Sequence, residues 1–196
     1  MPRSPLFKKI KKEENKMNQF VPSGVIWITG LSGAGKTTFA NAVQKHLKEK
    51  YHNVVVLEGE KQREIFNDFG YEREQRLKST YPCLRLIEFL EENQLIVIVP
   101  TISAFNEIYA LNRKTFKNYF EVYIHCDFKE LVRRDKKGLY SGALSGKIKN
   151  VVGVDIPYEE PKDAHFVLEN TKLNRLNEKT KILCEKVDEF LNNIKN

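Results

Sequence analysis

Gly30-Leu31-Ser32-Gly33-Ala34-Gly35-Lys36-Thr37 satisfies the pattern G-x-x-x-x-G-K-[ST] in full. Such a stretch does one kind of chemistry, the binding of nucleotide phosphates. Its glycines let the backbone turn tightly, so that N–H groups converge on phosphate oxygens. A helix starting near Lys36 would add its N-terminal dipole. Lys36 is expected to reach the β- and γ-phosphates, and the Thr37 hydroxyl to ligand Mg²⁺. Gly30, Ser32, Gly33, Ala34, Gly35, Lys36, Thr37 and Thr38 are therefore the candidate ATP-binding residues. With glycine near 7% of average usage, the four fixed positions arise by chance at roughly 4 in 100,000 starts. A plain glycine-rich turn is the alternative, and the apolar run before it and helical pattern after it argue against that.

A second stretch, V-V-V-L-E-G-E-K-Q-R-E-I-F (54–66), ends an apolar run in two carboxylates. If the strand continued, Glu58 and Glu60 would face the same side. Like charges held close are costly unless a cation or a donor sits between them. The other apolar run, L-I-V-I-V (95–99), ends in Pro100-Thr101 with no acid, so Glu58 and Glu60 are the candidate acids of a metal site. No N-K-x-D for guanine selection is present, which disfavours a GTPase. Acids after the second strand of a small phosphate-loop domain suit a small-molecule kinase, where a carboxylate faces both metal and acceptor hydroxyl. The bland alternative is an exposed turn.

These residues need elements to hold them. Val25–Thr29, Asn53–Leu57, Leu95–Val99, Phe120–Cys126 and Ala164–Leu168 read as strands. Helical spacing follows the glycine loop and recurs over 61–68, 72–93, 104–118, 128–136 and about 175–194, with an interruption allowed at Pro82. Residues 137–161 show no clear periodicity. Strands that are apolar throughout and alternate with helices predict an α/β fold, a parallel sheet covered on both faces. No internal repeat and no second domain are visible. The expected organisation is a basic tail over 1–20 and one domain over 21–196.

The chain has 196 residues, a net charge of +7 and 41% hydrophobic residues. Residues 1–16 carry +4 of that charge and the remaining 180 only +3, which disfavours nucleic acid as the main partner. The basic tail reads as an extension, or as residues upstream of a start at Met17. No apolar run approaches the ~18 residues of a membrane span, and no apolar segment of a signal peptide follows the tail. Cys83, Cys126 and Cys184 are odd in number and form no C-x-x-C. The expectation is a reduced, cytoplasmic protein with no structural zinc and no membrane partner.

Several motifs together resemble the adenylylsulfate kinases. They are G-L-S-G-A-G-K-T-T (30–38), L-E-G-E-K-Q-R (57–63), G-Y-E-R-E-Q-R (70–76), T-I-S-A-F-N (101–106), R-D-K-K-G-L-Y (134–140) and G-V-D-I-P-Y-E-E-P (153–161). Order and spacing hold from about Gly24 to Pro161. The resemblance implies the P-loop kinase fold with a mobile lid, here about 134–161, and a homodimer. It implies transfer of the ATP γ-phosphate to a nucleotide's ribose 3′-hydroxyl. Glu58 falls on the acid that helps position magnesium and draws on that hydroxyl, making Lys36 and Glu58 the implied catalytic pair. Arg134 falls at the base of the lid near ATP. Glu60, Arg63, Tyr71, Arg76, Ser79, Ile102, Ser103, Lys137, Leu139 and Val151 fall on the acceptor side. Arginine's planar fork suits phosphate-like groups there.

Departures from the family pattern cluster on that acceptor side. Ser79 stands where the family has asparagine, and Tyr81 and Pro82 where it has arginines. Ala104 replaces a proline and Asn106 an arginine. Of the two aromatics that sandwich adenine in the family, Tyr71 remains and Val151 replaces the other. Both motif aspartates are the longer glutamates, Glu58 and Glu60. This resembles a branch of the family that works in bacterial capsule assembly on cytidine diphosphoramidate. Three readings stand at this point: a kinase for a cytidine diphosphate-type acceptor, an adenylylsulfate kinase of sulfate assimilation, and a nucleotide-binding regulator that has lost catalysis.

Overall fold

The computed structural model describes residues 21–68, 70–135 and 137–194. The tail expected over 1–20 lies outside the described residues. Five strands form one parallel sheet: β1 (Gly24–Thr29), β2 (Val54–Val56), β3 (Ile96–Pro100), β4 (Tyr119–His125) and β5 (Phe166–Glu169), in the order β2-β3-β1-β4-β5. β1 is flanked by β3, with Val25 opposite Val97, and by β4, with Ile26 opposite Phe120.

Every residue of β1 and β3 is buried. Alternation therefore sends side chains into two cores rather than one core and solvent. Ile26, Ile28, Ile96, Ile98, Val122 and Ile124 face α1 (Lys36–Lys48) and α7 (Leu176–Asn193). Val25, Trp27, Val97 and Val99 face α3 (Arg73–Glu92) and α4 (Asn106–Thr115). Between them in sequence lie α2 (Gly59–Phe66), α5 (Phe128–Arg134) and α6 (Leu139–Leu144). Because the strands are parallel, the loops after β1, β2 and β3 all leave the same edge of the sheet. That edge gathers the phosphate loop, Glu58 and Thr101.

Three expectations change. Pro82 does not interrupt α3, which runs through it for 20 residues. Burial of Cys83, Leu84 and Ile87 on one face offsets the local penalty of a missing N–H. Residues 137–161 contain a short helix, α6, despite lacking periodicity. Both oxygens of Asp135 accept N–H groups of its first turn, from Tyr140 at 2.8 Å and Ser141 at 2.9 Å. Finally, the second strand stops at Val56 and Glu58 is the extended residue that opens α2 (φ −68°, ψ 151°). Glu58 and Glu60 are thus not neighbours on one strand face; strand alternation does not apply across a helix start.

Candidate active site

The phosphate loop joins β1 to α1. Gly30 has φ +148°, and a Cβ there would sit 2.5 Å from the Ile124 carbonyl oxygen. Gly35 has φ +111°, and a Cβ would meet Asn170 Nδ2 at 2.8 Å. Both places admit only glycine. Three outward carbonyls of the loop are held by donors. Tyr140 OH reaches Ser32 O at 2.9 Å, Arg134 Nη1 reaches Gly33 O at 3.4 Å, and Asn170 Nδ2 reaches Ala34 O at 2.7 Å. A fourth carbonyl, Leu31 O, takes the Ala34 N–H at 3.2 Å. The first turn of α1 carries no acidic residue, so its positive end is not neutralised. Lys36 Nζ lies across the loop, donating to Leu31 O at 2.9 Å, and burial pushes its pKa down to about 7. Thr37 and Thr38 are exposed beside it.

Arg134, expected beside ATP at the base of the lid, is turned to structural work. Its side chain is 6% exposed. Besides Gly33 it donates to the carbonyls of Asn170 at 2.8 Å and Thr171 at 2.7 Å, and to Glu130 Oε1 at 2.9 Å. It braces the loop from behind. Tyr140 and Asn170 do the same and were not among the expected residues. Tyr140 lay inside a quoted motif; Asn170 had no sequence signal.

Among the described residues no group of three or more His, Cys, Asp or Glu could hold a metal by itself. Mg²⁺ asks for less. It keeps several waters and takes one or two protein oxygens plus phosphate oxygens. The Thr37 hydroxyl and the half-buried Glu58 carboxylate, at the same sheet edge, fit that need.

Beside this edge opens a cleft of about 650 Å³, solvent at its mouth included. Gly59, Gln62 and Arg63 of α2, Arg76 and Ser79 of α3, and the loop 101–105 form its walls, with Trp27 in its floor. Arg63 Nη1 donates to Gly70 O at 2.8 Å, and its Cζ lies 4.4 Å above the Tyr71 ring. Arg76 donates to Tyr71 O at 2.7 Å and to Asn150 O at 3.1 Å, with its Cζ 5.5 Å from the same ring. Two guanidiniums thus converge where an anion would be held.

Of the expected acceptor residues, Arg63, Arg76, Ser79, Ile102 and Ser103 line the cleft. Ser103 contributes mainly backbone, since its side chain is turned inward. Its Oγ accepts the Trp27 indole N–H at 2.8 Å, its N–H donates to Thr29 Oγ1 at 3.3 Å, and its carbonyl takes the Tyr109 hydroxyl. Glu60 and Lys137 meet each other at 3.5 Å, both 83% exposed. Leu139 and Val151 are not brought to the cleft. They pack in the core cluster on the α1 and α7 side, where apolar side chains gain more from leaving water. The face of the Tyr71 ring is covered by Arg63, and among the described residues no second aromatic pairs with it. Gln62, Thr80 and Cys83 line the cleft although no motif singled them out.

The family model described as Adenylylsulphate kinase matches residues 22–169. The chain is 46% identical, over 83% of its length and 95% of the relative's, to the cytidine diphosphoramidate kinase of Campylobacter jejuni. It is 38% identical, over 78% of its length and 99% of the relative's, to a probable adenylyl-sulfate kinase of Archaeoglobus fulgidus. Its fold superposes with a TM-score of 0.76 on the Mycobacterium tuberculosis APS kinase CysC in complex with AMPPNP and APS, at 31% identity, covering 87% of this chain and 99% of that one. No described helix is long and apolar enough to cross a membrane.

Proposed function

We propose, for a chain that belongs to the adenylylsulfate kinase family and is an ATP-dependent phosphotransferase, that the acceptor is cytidine diphosphoramidate. The γ-phosphate goes to its ribose 3′-hydroxyl, in the assembly of a bacterial capsule phosphoramidate. One observation carries this reading. The ATP-side motif is intact while two of the departures, Ser79 and Ala104, line the cleft, in a chain 46% identical to a kinase of that acceptor.

Mg²⁺ held by Thr37 and Glu58 would neutralise charge on the β- and γ-phosphate oxygens. The loop N–H groups and the Lys36 ammonium hold the same oxygens as the bond from ribose O3′ to phosphorus forms and the bond to ADP breaks. Glu58 draws on the 3′-hydroxyl proton. Arg63 and Arg76 grip the anionic part of the acceptor, and Lys137, released from Glu60, adds a cation from the other side. Residues 134–161 act as the lid, within one domain over 21–196. The reading carries with it a homodimer working in the cytoplasm.

Adenylylsulfate is the competing acceptor, favoured by Tyr71 and by relatives such as that of Archaeoglobus. ADP release coupled to each acceptor separates them. Cytidine diphosphoramidate is expected to give at least tenfold higher kcat/KM, with a 3′-phosphate in the product by phosphorus NMR. Equal or better turnover of adenylylsulfate overturns the proposal. No acceptor-stimulated ADP release with either compound would instead revive the inactive regulator.

A further inference from the structure

Gln62 is 7% exposed, on the face of α2 that lines the acceptor cleft. Its Nε2 donates to Leu57 O at 3.0 Å. A carbonyl can only accept, so this bond fixes which end of the amide is nitrogen. Oε1 must point the other way. No donor among the described residues reaches it. Nor is it one of the sealed polar side-chain atoms without a partner, which are Asn53 Oδ1, Asn112 Oδ1, Arg113 Nε and Tyr158 OH. It opens onto the cleft. Burying an amide costs free energy unless its hydrogen bonds are made. An apolar side chain would pack against Leu57 without that cost. A glutamine with one end bonded and the other open to the cleft asks what completes it.

The groups around it supply the contrast. Arg63 and Arg76 offer only donors. The hydroxyls of Ser79 and Thr80 both spend their protons on Arg76 O. Asp68 Oδ1 already accepts the Gly70 N–H at 2.9 Å; its Oδ2 and the hydroxyl oxygens of Ser79, Thr80 and Thr101 are further acceptors along the cleft. A fully anionic ligand satisfies the arginines but leaves Gln62 Oε1 facing lone pairs. A ligand with an N–H satisfies both.

We propose that Gln62 is a specificity-determining residue of the cleft, its Oε1 accepting a hydrogen bond from an amine of the acceptor nucleotide. This rests on the nucleotide acceptor proposed above, and deepens it. Two amines of such an acceptor have this chemistry, the phosphoramidate NH₂ and the exocyclic amine of the base.

The test compares kcat/KM for pairs that differ in one amine. Cytidine diphosphoramidate against CDP isolates the end group; cytidine against uridine diphosphoramidate isolates the base. The wild type should prefer the amine in one pair by roughly 10- to 100-fold, the usual consequence of leaving a buried polar group unpaired. Gln62→Met should shrink that preference to within about threefold, leaving the other pair's ratio and the KM for ATP unchanged. A wild type with no preference in either pair overturns the proposal, as does a Gln62→Met enzyme that keeps it. If Gln62→Met does not fold, Gln62→Ala decides, because it removes the acceptor oxygen without placing bulk in the cleft: the preference should shrink likewise, and its survival overturns the role. A wild type that favours adenylylsulfate would sink the cytidine reading alone. Adenylylsulfate against its hypoxanthine counterpart then tests Gln62 by the same ratios.

Discussion

Burial holds the Lys36 amine at about 7, against 10.5 for an ordinary lysine. Charging it in the free protein is unfavourable, so the buried site costs stability below about pH 7, and the cost is relieved as pH rises above that value. Phosphate oxygens reverse the preference by stabilising the ammonium. Binding a non-hydrolysable ATP analogue with Mg²⁺ should therefore take up ~0.9 proton at pH 8 and ~0.1 at pH 6. Calorimetry in buffers of different ionisation enthalpy reads this directly, and Lys36→Met should abolish the uptake. A binding enthalpy independent of buffer at pH 8 would contradict it. Other residues were less legible than Lys36. Glu58 and Glu60 could be named from sequence, but their geometry could not, because the strand ends two residues before Glu58. Gln62 occupies a position that the family motif leaves unspecified, so only its burial and its bond to Leu57 reveal it.

At the scale of elements, the phosphate loop is shaped by what stands behind it. Strand and helix periodicity located β1 and α1 to within a residue or two, because their apolar spacing is local. The braces are not local. Tyr140 is 108 residues from Ser32, and Asn170 is 136 from Ala34. No pattern along the chain reports such a contact. α6 was missed for a related reason, since its start is fixed by the Asp135 carboxylate rather than by hydrophobic spacing. Tyr140→Phe removes the bond to Ser32 O and keeps the ring against Phe128. It should raise the KM for ATP about fivefold, the value of one hydrogen bond near 1 kcal/mol. The acceptor KM should stay within twofold. A rise in both would mean that α6 serves the acceptor side as well.

Across the whole molecule, the proposed ATP and acceptor sites share β1. The strand runs into the phosphate loop at Gly30, and two residues of the same strand hold the acceptor loop: Trp27 through Ser103 Oγ, Thr29 through the Ser103 N–H. The parallel α/β class followed from sequence, and the phosphate-loop motif lies between β1 and α1 as its pattern predicts, since both are written in short continuous stretches. The acceptor side did not, since it is assembled from α2, α3 and the loop after β3. Trp27 is the chain's one tryptophan, 3% exposed, in the floor of the cleft. Its emission should therefore change when acceptor nucleotide saturates the protein, with little change on adding ATP and Mg²⁺ alone. Trp27→Phe removes the indole N–H and leaves Ser103 Oγ without that donor. The acceptor KM should rise roughly 5- to 20-fold by the same hydrogen-bond arithmetic, while the ATP KM holds. Emission that follows ATP rather than acceptor would place the nucleotide donor, not the acceptor, over Trp27, and would reverse the assignment of the two sites.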